Sequence, residues 1–142
     1  MTVMKMGVAE IERFLREEFP QVFSGDEFKL ERADGRSCLL RQRYGARMLR
    51  PGGTISGPTL MALADYAMYA VLLSAIGPVG LAVTTSLNIN FLRKGAPGHD
   101  LVAAAKILKL GKRLAVGEVS LMSAISPEPI AHVTATYSIP NQ

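Results

Sequence analysis

Asp65 is the one charged residue in a long apolar stretch of this sequence, with no other charge between Arg50 and Arg93. Removing a lone carboxylate from water costs several kcal/mol unless it is paired, hydrated or put to use. An aspartate in such a setting can act as a general base towards water or as a nucleophile. The structural alternative is a buried aspartate that pairs with an arginine or caps a backbone group. Asp65 is thus the first candidate for a chemical role.

A helix is predicted from about Ser56, and its first turn is open to an anion. Ser56 has the side chain of a helix N-cap, and Pro58 fits the first turn, where its missing N–H costs nothing. The helix should continue to about Ile76 and stop at Gly77-Pro78. Its N-terminus carries free amides and a partial positive charge, and Gly57 has no side chain to block a ligand. The alternatives are that Gly57 only serves backbone shape and that Ser56 is only a cap.

The predicted helix is apolar on almost every side, which indicates burial on most of its surface. The apolar run from Tyr66 to Val83 is broken by Gly77-Pro78 after about ten residues, and Asp65 closes its other end. A membrane span needs roughly 20 residues. We therefore predict a buried central helix and no membrane partner.

The elements around this helix predict an α+β domain. An amphipathic helix over Val8–Phe19, ended by Pro20, precedes two strands joined by the turn Asp34-Gly35. After the central helix come four alternating segments: Val79–Arg93, Asp100–Leu110, Arg113–Ile125 and Ile130–Ile139. Their short connections favour an antiparallel meander. The two early strands are Phe28–Ala33 and Ser37–Tyr44.

Length and composition predict one domain over residues 1–142, in which residues 1–25 are an N-terminal helix and lead-in. Hydrophobic residues make up 49% of the chain, so part of its apolar surface is expected in a subunit interface. A single cysteine excludes an internal disulfide and suits a reducing cytoplasm. This residue, Cys38, lies in an apolar strand pattern and is predicted to be a small core residue and not a nucleophile. Met1 to Gly7 lacks the pattern of a signal peptide. We therefore expect a cytoplasmic homo-oligomer.

The formal charge of +4 comes from short basic clusters and not from a continuous tract. Nucleic-acid binding would require a denser basic stripe with interleaved aromatic residues, so we expect no nucleic-acid partner. Small polyanions such as nucleotide phosphates fit the clusters better, although ordinary solvated turns remain the alternative. Two histidines, His99 and His132, with scattered carboxylates are too few for a metal site. We expect no metal and no cofactor.

Four short segments occur in a distinctive order along the chain: Gly53-Thr54, Ser56-Gly57 nine residues before Asp65, Asn90-Phe91-Leu92-Arg93-Lys94 and Leu110-Gly111-Lys112-Arg113. In this order they resemble the hot-dog-fold acyl-CoA thioesterases of the PaaI-like, phenylacetate-type group. The similarity covers roughly Tyr44 to Pro140. It implies a long central helix wrapped by a curved antiparallel sheet of five or six strands. It also implies hydrolysis of an acyl-CoA to the free acid and CoA.

The resemblance assigns roles to both ends of the helix motif. Asp65 keeps the acidic position, and Gly57 keeps the first glycine, whose N–H in such enzymes polarises the thioester carbonyl. The family has His-Gly-Gly where this chain has Ser56-Gly57-Pro58. The amide that matters belongs to the first glycine, so the oxyanion contact can survive the proline. The missing histidine changes substrate positioning, and Ser56 is a candidate substrate contact in its place.

Thioester hydrolysis needs an N–H donor for the oxyanion and a group that delivers water to the carbonyl carbon. Asp65 lies about 12 Å along the helix from Gly57, by the rise per residue. In the family the aspartate of one subunit faces the glycine of the other, so a composite site in a homodimer or homotetramer is expected. Whether Asp65 acts as base or nucleophile stays open.

Further contacts follow from the same resemblance. Thr85, on the predicted apolar face of its strand, is the expected hydroxyl near the catalytic water. The acyl tunnel is expected along the helical face that Asp65 shares with Met61, Met68 and Tyr69, although core packing is the favoured explanation for each of them singly. The CoA phosphates are expected at Arg93, Lys94, Lys112 and Arg113.

Two rival functions remain. A hot-dog hydratase or dehydratase needs an aspartate–histidine pair, and no histidine accompanies Asp65 in the loop or the helix. A non-catalytic acyl-CoA binding or sensing protein is compatible with the missing family histidine.

Overall fold

The structure is a computed structural model, and it describes residues 4–140; the first residues of the segment Met1 to Gly7 lie outside that range. The helices are α1 (Val8–Glu18), α2 (Pro20–Phe23) and α3 (Gly57–Ile76), with a short 3-10 turn at Ala46–Met48. The strands are β1 (Phe28–Ala33), β2 (Ser37–Gln42), β3 (Val83–Phe91), β4 (Leu101–Leu110), β5 (Leu114–Ser123) and β6 (Pro129–Ser138).

The six strands form one antiparallel sheet in the order β1-β2-β4-β5-β6-β3. Strand β3 pairs with β6 and not with β4, so the predicted four-strand meander is wrong for its first strand. Residues 92–100 carry the chain from one edge of the sheet to its interior, which a meander does not require. The other three strands, β4 to β6, form the predicted meander. Strand β3 is thereby left at an edge of the sheet.

The Asp34-Gly35 turn and the segment after Pro20 each show a detail that the sequence analysis did not predict. Gly35 has a φ of 90°, but no residue other than glycine has a positive φ in residues 4–140. The Asp34 carboxylate instead accepts hydrogen bonds from the N–H groups of Arg36 and Ser37, at 2.9 and 2.7 Å, which lower the Asp34 pKa. Pro20 does not only end α1; it also begins α2, where its fixed φ suits a first helical turn.

Helix α3 packs against the sheet and contacts all six strands. Its 20 residues are long and apolar enough to cross a membrane by length and composition, so the expectation of a shorter run was wrong. Of an apolar 18-residue stretch of this helix, 67% is buried inside the domain, as is usual for the core helix of a globular protein. Ala64, Ala67 and Leu63 are fully buried against the sheet.

Cys38 and Met68 both lie in the core, which was the prediction for Cys38 and only the alternative for Met68. Cys38 is 2% exposed, and burial raises its thiol pKa to about 12, so this thiol is inert as a nucleophile. Met68 is fully buried against Gly117 of β5. It therefore packs between α3 and the sheet and lines neither of the cavities described below, so its predicted place in an acyl tunnel is corrected.

The contact between Met68 and Gly117 generates a stability prediction. A Cβ at Gly117 would overlap the Met68 sulfur and lie 2.8 Å from the Lys106 carbonyl oxygen. We expect Gly117→Ala to lower the free energy of unfolding by about 1–3 kcal/mol through overpacking. Denaturant titration measures the loss. The matched control is Gly45→Ala, where the added Cβ meets nothing within 4 Å and φ is −151°; equal midpoints for the two variants would contradict the packing argument.

Candidate active site

The Asp65 carboxylate is hydrogen-bonded and not paired with a cation. Its Oδ1 accepts hydrogen bonds from Thr84 Oγ1 at 2.5 Å and from the Tyr137 hydroxyl at 2.7 Å. The Tyr137 hydroxyl also lies 3.0 Å from the Asp65 carbonyl oxygen. Within residues 4–140, no ion pair involves Asp65, and its second oxygen accepts no hydrogen bond. Among the described residues, Asp65 is therefore not paired with an arginine, which was one of its structural alternatives.

Tyr137 serves as a fixed donor to Asp65. Burial, followed by the neighbouring Asp65 charge, raises the pKa of the Tyr137 phenol well above its ordinary value. Its ring stacks on that of Tyr69, with centroids 6.2 Å apart and an angle of 14° between the planes. Because the phenol stays protonated at neutral pH, it holds one carboxylate oxygen and leaves the other available. Sequence reasoning missed Tyr137, although it is the one hydroxyl-bearing ring on the apolar face of β6.

Thr84, and not Thr85, lies beside Asp65. The β3–β6 register shifts between Thr84 and Ser86, which marks a β-bulge at Thr85. The bulge reverses the alternation, so Thr84 faces the helix before it and Leu87 faces the helix after it. Thr85 is exposed, and its hydroxyl bonds the Thr136 carbonyl at 3.2 Å. The prediction for Thr85 assumed unbroken alternation along the strand and is wrong for that reason.

A cavity of about 290 Å³ opens next to Asp65. Its walls are aromatic, small or acidic, and no lysine, arginine or histidine contributes to them. They are formed by Glu18, Phe19, Asp65, Tyr66, Tyr69, Gly80, Ala82, Val83, Thr84 and Tyr137. Of the three predicted tunnel residues, only Tyr69 lines it. Met61 is 41% exposed on the outer side of α3 and does not reach this cavity.

Gly57 begins α3 with its amide unused. Ser56 is the N-cap, as predicted: its hydroxyl accepts the Thr59 N–H at 3.3 Å. Within residues 4–140 the Gly57 N–H donates no hydrogen bond. A Cβ on Gly57 would lie 3.1 Å from the ring of Phe91, so the side-chain-free backbone keeps this approach open. The arrangement suits a developing negative charge at the helix N-terminus.

A second cavity, of about 410 Å³, opens beside Gly57 and carries only positive charge. Arg50, Arg93 and Lys94 line it together with apolar residues such as Leu60 and Phe91. Arg93 is paired with Glu128, whereas Arg50 and Lys94 have no acidic partner among the residues described. Arg50 was not assigned to the site from the sequence.

The two cavities share no lining residue, and they lie at opposite ends of β3. Gly57 packs near Phe91 at the end of that strand, and Asp65 bonds Thr84 near its start. Lys112 and Arg113 are exposed in the β4–β5 turn, at the same end as Asp65: the Ile139 N–H bonds the Arg113 carbonyl, and β3 pairs beside Ser138. One subunit therefore does not bring Gly57 and Asp65 around a single carbonyl.

The raised phenol pKa values predict a loss of stability in base. The pKa values of Tyr137, Tyr66 and Tyr69 are all raised above 10.0, chiefly by burial. Above pH 10 the folded state then binds more protons than the unfolded state, so the free energy of unfolding falls as pH rises. We expect the melting temperature of Tyr137→Phe to fall less steeply with pH than that of wild type, when both are measured from about pH 9 to 11.5. An unchanged slope in Tyr137→Phe would show that Tyr137 is not the linked group.

Comparison with known proteins agrees with this architecture. The sequence model of the thioesterase superfamily matches residues 52–129. A crystal structure of a protein described as a thioesterase from Silicibacter is 41% identical, with a TM-score of 0.88, over 97% of this chain and 94% of the other. No curated protein matches the sequence significantly.

Two structures of PaaI proteins are also similar. A variant of the phenylacetic acid degradation protein PaaI from Thermus thermophilus is 26% identical, with a TM-score of 0.69, over 80% of this chain and 93% of that one. The E. coli PaaI protein of the phenylacetic acid degradation operon is 22% identical, with a TM-score of 0.72, over 92% and 90%. The six-stranded antiparallel sheet around a central helix is the hot-dog fold of these proteins. The chain therefore belongs to the thioesterase superfamily, in its PaaI-like group of hot-dog thioesterases.

Proposed function

We propose that this protein hydrolyses an acyl-CoA to the free acid and CoA. The observation that carries the proposal is the Asp65 carboxylate: two hydroxyl groups bond one of its oxygens, the other accepts no hydrogen bond among residues 4–140, and the residue lines a cavity without cations. A carboxylate held in this way is positioned to act on a neutral electrophile. The thioesterase family supplies the electrophile class, a thioester carbonyl.

The chemistry has two forms that use the same residues. As a general base, Asp65 takes a proton from water while the water oxygen bonds the carbonyl carbon. As a nucleophile, Asp65 bonds that carbon itself and gives an anhydride that water then cleaves. In both forms the negative charge moves to the carbonyl oxygen, which accepts a hydrogen bond from the N–H of Gly57. Collapse of this intermediate breaks the C–S bond and expels the CoA sulfur as a thiolate. In the general-base form the thiolate takes the proton that Asp65 accepted from water; in the nucleophile form it takes a proton from solvent, and water cleaves the anhydride only after the thiolate has left.

A dimer through β3 would complete this site. Strand β3 is an edge strand, and its ends are apolar and exposed: Val83 is 56% and Phe91 55% exposed. An exposed apolar edge is a template for pairing with another strand. Antiparallel pairing of two β3 strands across a two-fold axis sets the start of one beside the end of the other. The Asp65 cavity of one subunit would then meet the Gly57 cavity of its partner.

The same pairing would unite the basic clusters. Arg93 and Lys94 line the Gly57 cavity, whereas Lys112 and Arg113 lie in a turn at the Asp65 end. In an antiparallel dimer these two pairs approach each other across the interface. Exposed cations on turns suit the phosphates of CoA, which extend away from the reacting thioester. We assign CoA binding to these four side chains and to Arg50.

The rival functions differ in what they require near Asp65. A hydratase or dehydratase needs a histidine beside the aspartate. His132 instead contacts Glu118 at 3.1 Å and pairs with Asn90, towards the Gly57 end of β3, while His99 is exposed in the loop before β4. A binding or sensing protein would keep both cavities but release no thiol. Ser56 stands where the family has histidine, and its hydroxyl is hydrogen-bonded to that of Thr59. The missing histidine is compatible with this second candidate.

Substitution of Asp65 tests catalysis directly. We expect wild-type protein to release free thiol from at least one member of an acyl-CoA panel, and Asp65→Asn to lower that rate about 10²- to 10⁴-fold, because the amide neither accepts a proton nor attacks the carbonyl. The matched control is Asp26→Asn, an exposed carboxylate paired only with Arg43. Tight acyl-CoA binding by the wild type without thiol release would favour the sensing protein.

Subunit mixing tests the shared site. Asp65→Asn removes the carboxylate, and Gly57→Val places a branched side chain over the helix N-terminus, so each variant alone should be inactive. If each site uses Gly57 of one subunit and Asp65 of the other, half of the dimers after co-refolding are mixed, and each contains one intact site. We expect about a quarter of wild-type activity to return. Activity no higher than that of either variant alone would place the whole site within one subunit.

A further inference from the structure

We propose that Glu18 makes the Asp65 cavity selective against acyl groups that end in a negative charge. The N-terminal helices would then set acyl specificity in this protein. The inference rests on the proposed function, because it names the acyl class that the same site accepts.

Charge distribution indicates which cavity takes the acyl group. The phosphates of CoA need cations, and the Gly57 cavity has Arg50, Arg93 and Lys94 in its walls. The Asp65 cavity has no lysine, arginine or histidine. Four aromatic rings line it instead, and they suit the apolar body of an acyl group. The thioester lies at Asp65, so its acyl side extends along these rings towards Glu18.

The N-terminal helices supply the outer wall of this cavity. Glu18 ends α1, and Phe19 links α1 to α2. The Phe19 ring packs edge-on against Tyr66, with centroids 5.8 Å apart and planes at 88°. Tyr66 is held in turn by Phe23 and Phe28, at 5.6 and 5.4 Å. This wall is fixed by packing, and its N-terminal part lies outside the segment 52–129 that the thioesterase superfamily shares.

The Glu18 carboxylate is free to act on the cavity. Glu18 is exposed at the end of α1 and forms no ion pair among residues 4–140, and its charge contributes, after burial, to the raised pKa of Tyr69, which lines the same cavity. A terminal carboxylate on the acyl group would therefore meet two negative charges, Glu18 and Asp65, in a cavity whose own walls hold no cation. A neutral acyl group of the same length meets no such repulsion. Building repulsion against the wrong ligand is a common means of specificity.

The test compares two thioesters of equal chain length, hexanoyl-CoA and adipoyl-CoA, which differ only in a terminal carboxylate. The measured quantity is the ratio of kcat/KM for adipoyl-CoA to that for hexanoyl-CoA. We expect Glu18→Gln to raise this ratio roughly three- to tenfold over wild type, and Glu18→Lys to raise it further. The gain should shrink as salt concentration rises, because screening weakens the repulsion. Glu17→Gln is the control, since Glu17 is exposed on α1 and does not line the cavity.

Two results would overturn the inference: an unchanged ratio in both Glu18 variants, or an equal rise in Glu17→Gln, which would mark a general surface-charge effect. The same pair of thioesters is titrated calorimetrically into proteins that carry Asp65→Asn, with and without Glu18→Lys. A shift in the affinity ratio there, with no thiol release by wild type, would support the role of Glu18 while rejecting the thioesterase proposal. Thiol release by wild type, with no shift in the kcat/KM ratio or in the affinity ratio, would support the thioesterase proposal and reject the role of Glu18.

Discussion

The structure depends on burying a helix that is apolar nearly all round. Helix α3 has one charged residue in 20, and the curved sheet covers it along most of its length. One sheet cannot cover every side, so a strip of α3 that includes Met61, Asp65 and Tyr69 stays partly accessible. Such a strip is a liability unless a ligand or a second subunit covers it. Gly57 and Asp65, the residues proposed for catalysis, lie on α3 at the helical spacing of this strip.

The carboxylate on this strip is tolerated because the neighbouring strands supply donors. Thr84 on β3 and Tyr137 on β6 both reach Asp65 Oδ1. The bulge at Thr85 matters here, since without it Thr84 would point away from the helix. A partly buried carboxylate that is hydrogen-bonded on one side and open on the other is stable in the fold and suits the proposed chemistry. The local irregularity of an edge strand is thus part of the site.

Charge is partitioned along the length of β3. The cavity at one end contains only carboxylates among its charged walls, and the cavity at the other end contains only cations. A thioester substrate is itself divided in this way, into an acyl group and a polyanionic carrier. The proposed antiparallel dimer would set the two kinds of cavity side by side, which explains why one subunit separates them.

Composition and pattern alone determined the central helix, the capping role of Ser56 and the inert core position of Cys38, and they singled out Asp65 as the candidate, because apolar periodicity and a lone charge in an apolar stretch are local properties. The family motifs determined the hot-dog fold. Only the tertiary structure decided that β3 pairs with β6, that Thr84 replaces Thr85, that Met68 is core, and that Tyr137, Arg50 and Glu18 line the cavities. These features arise from strand order, a one-residue bulge and contacts between distant segments, and none of them leaves a periodic signal in the sequence.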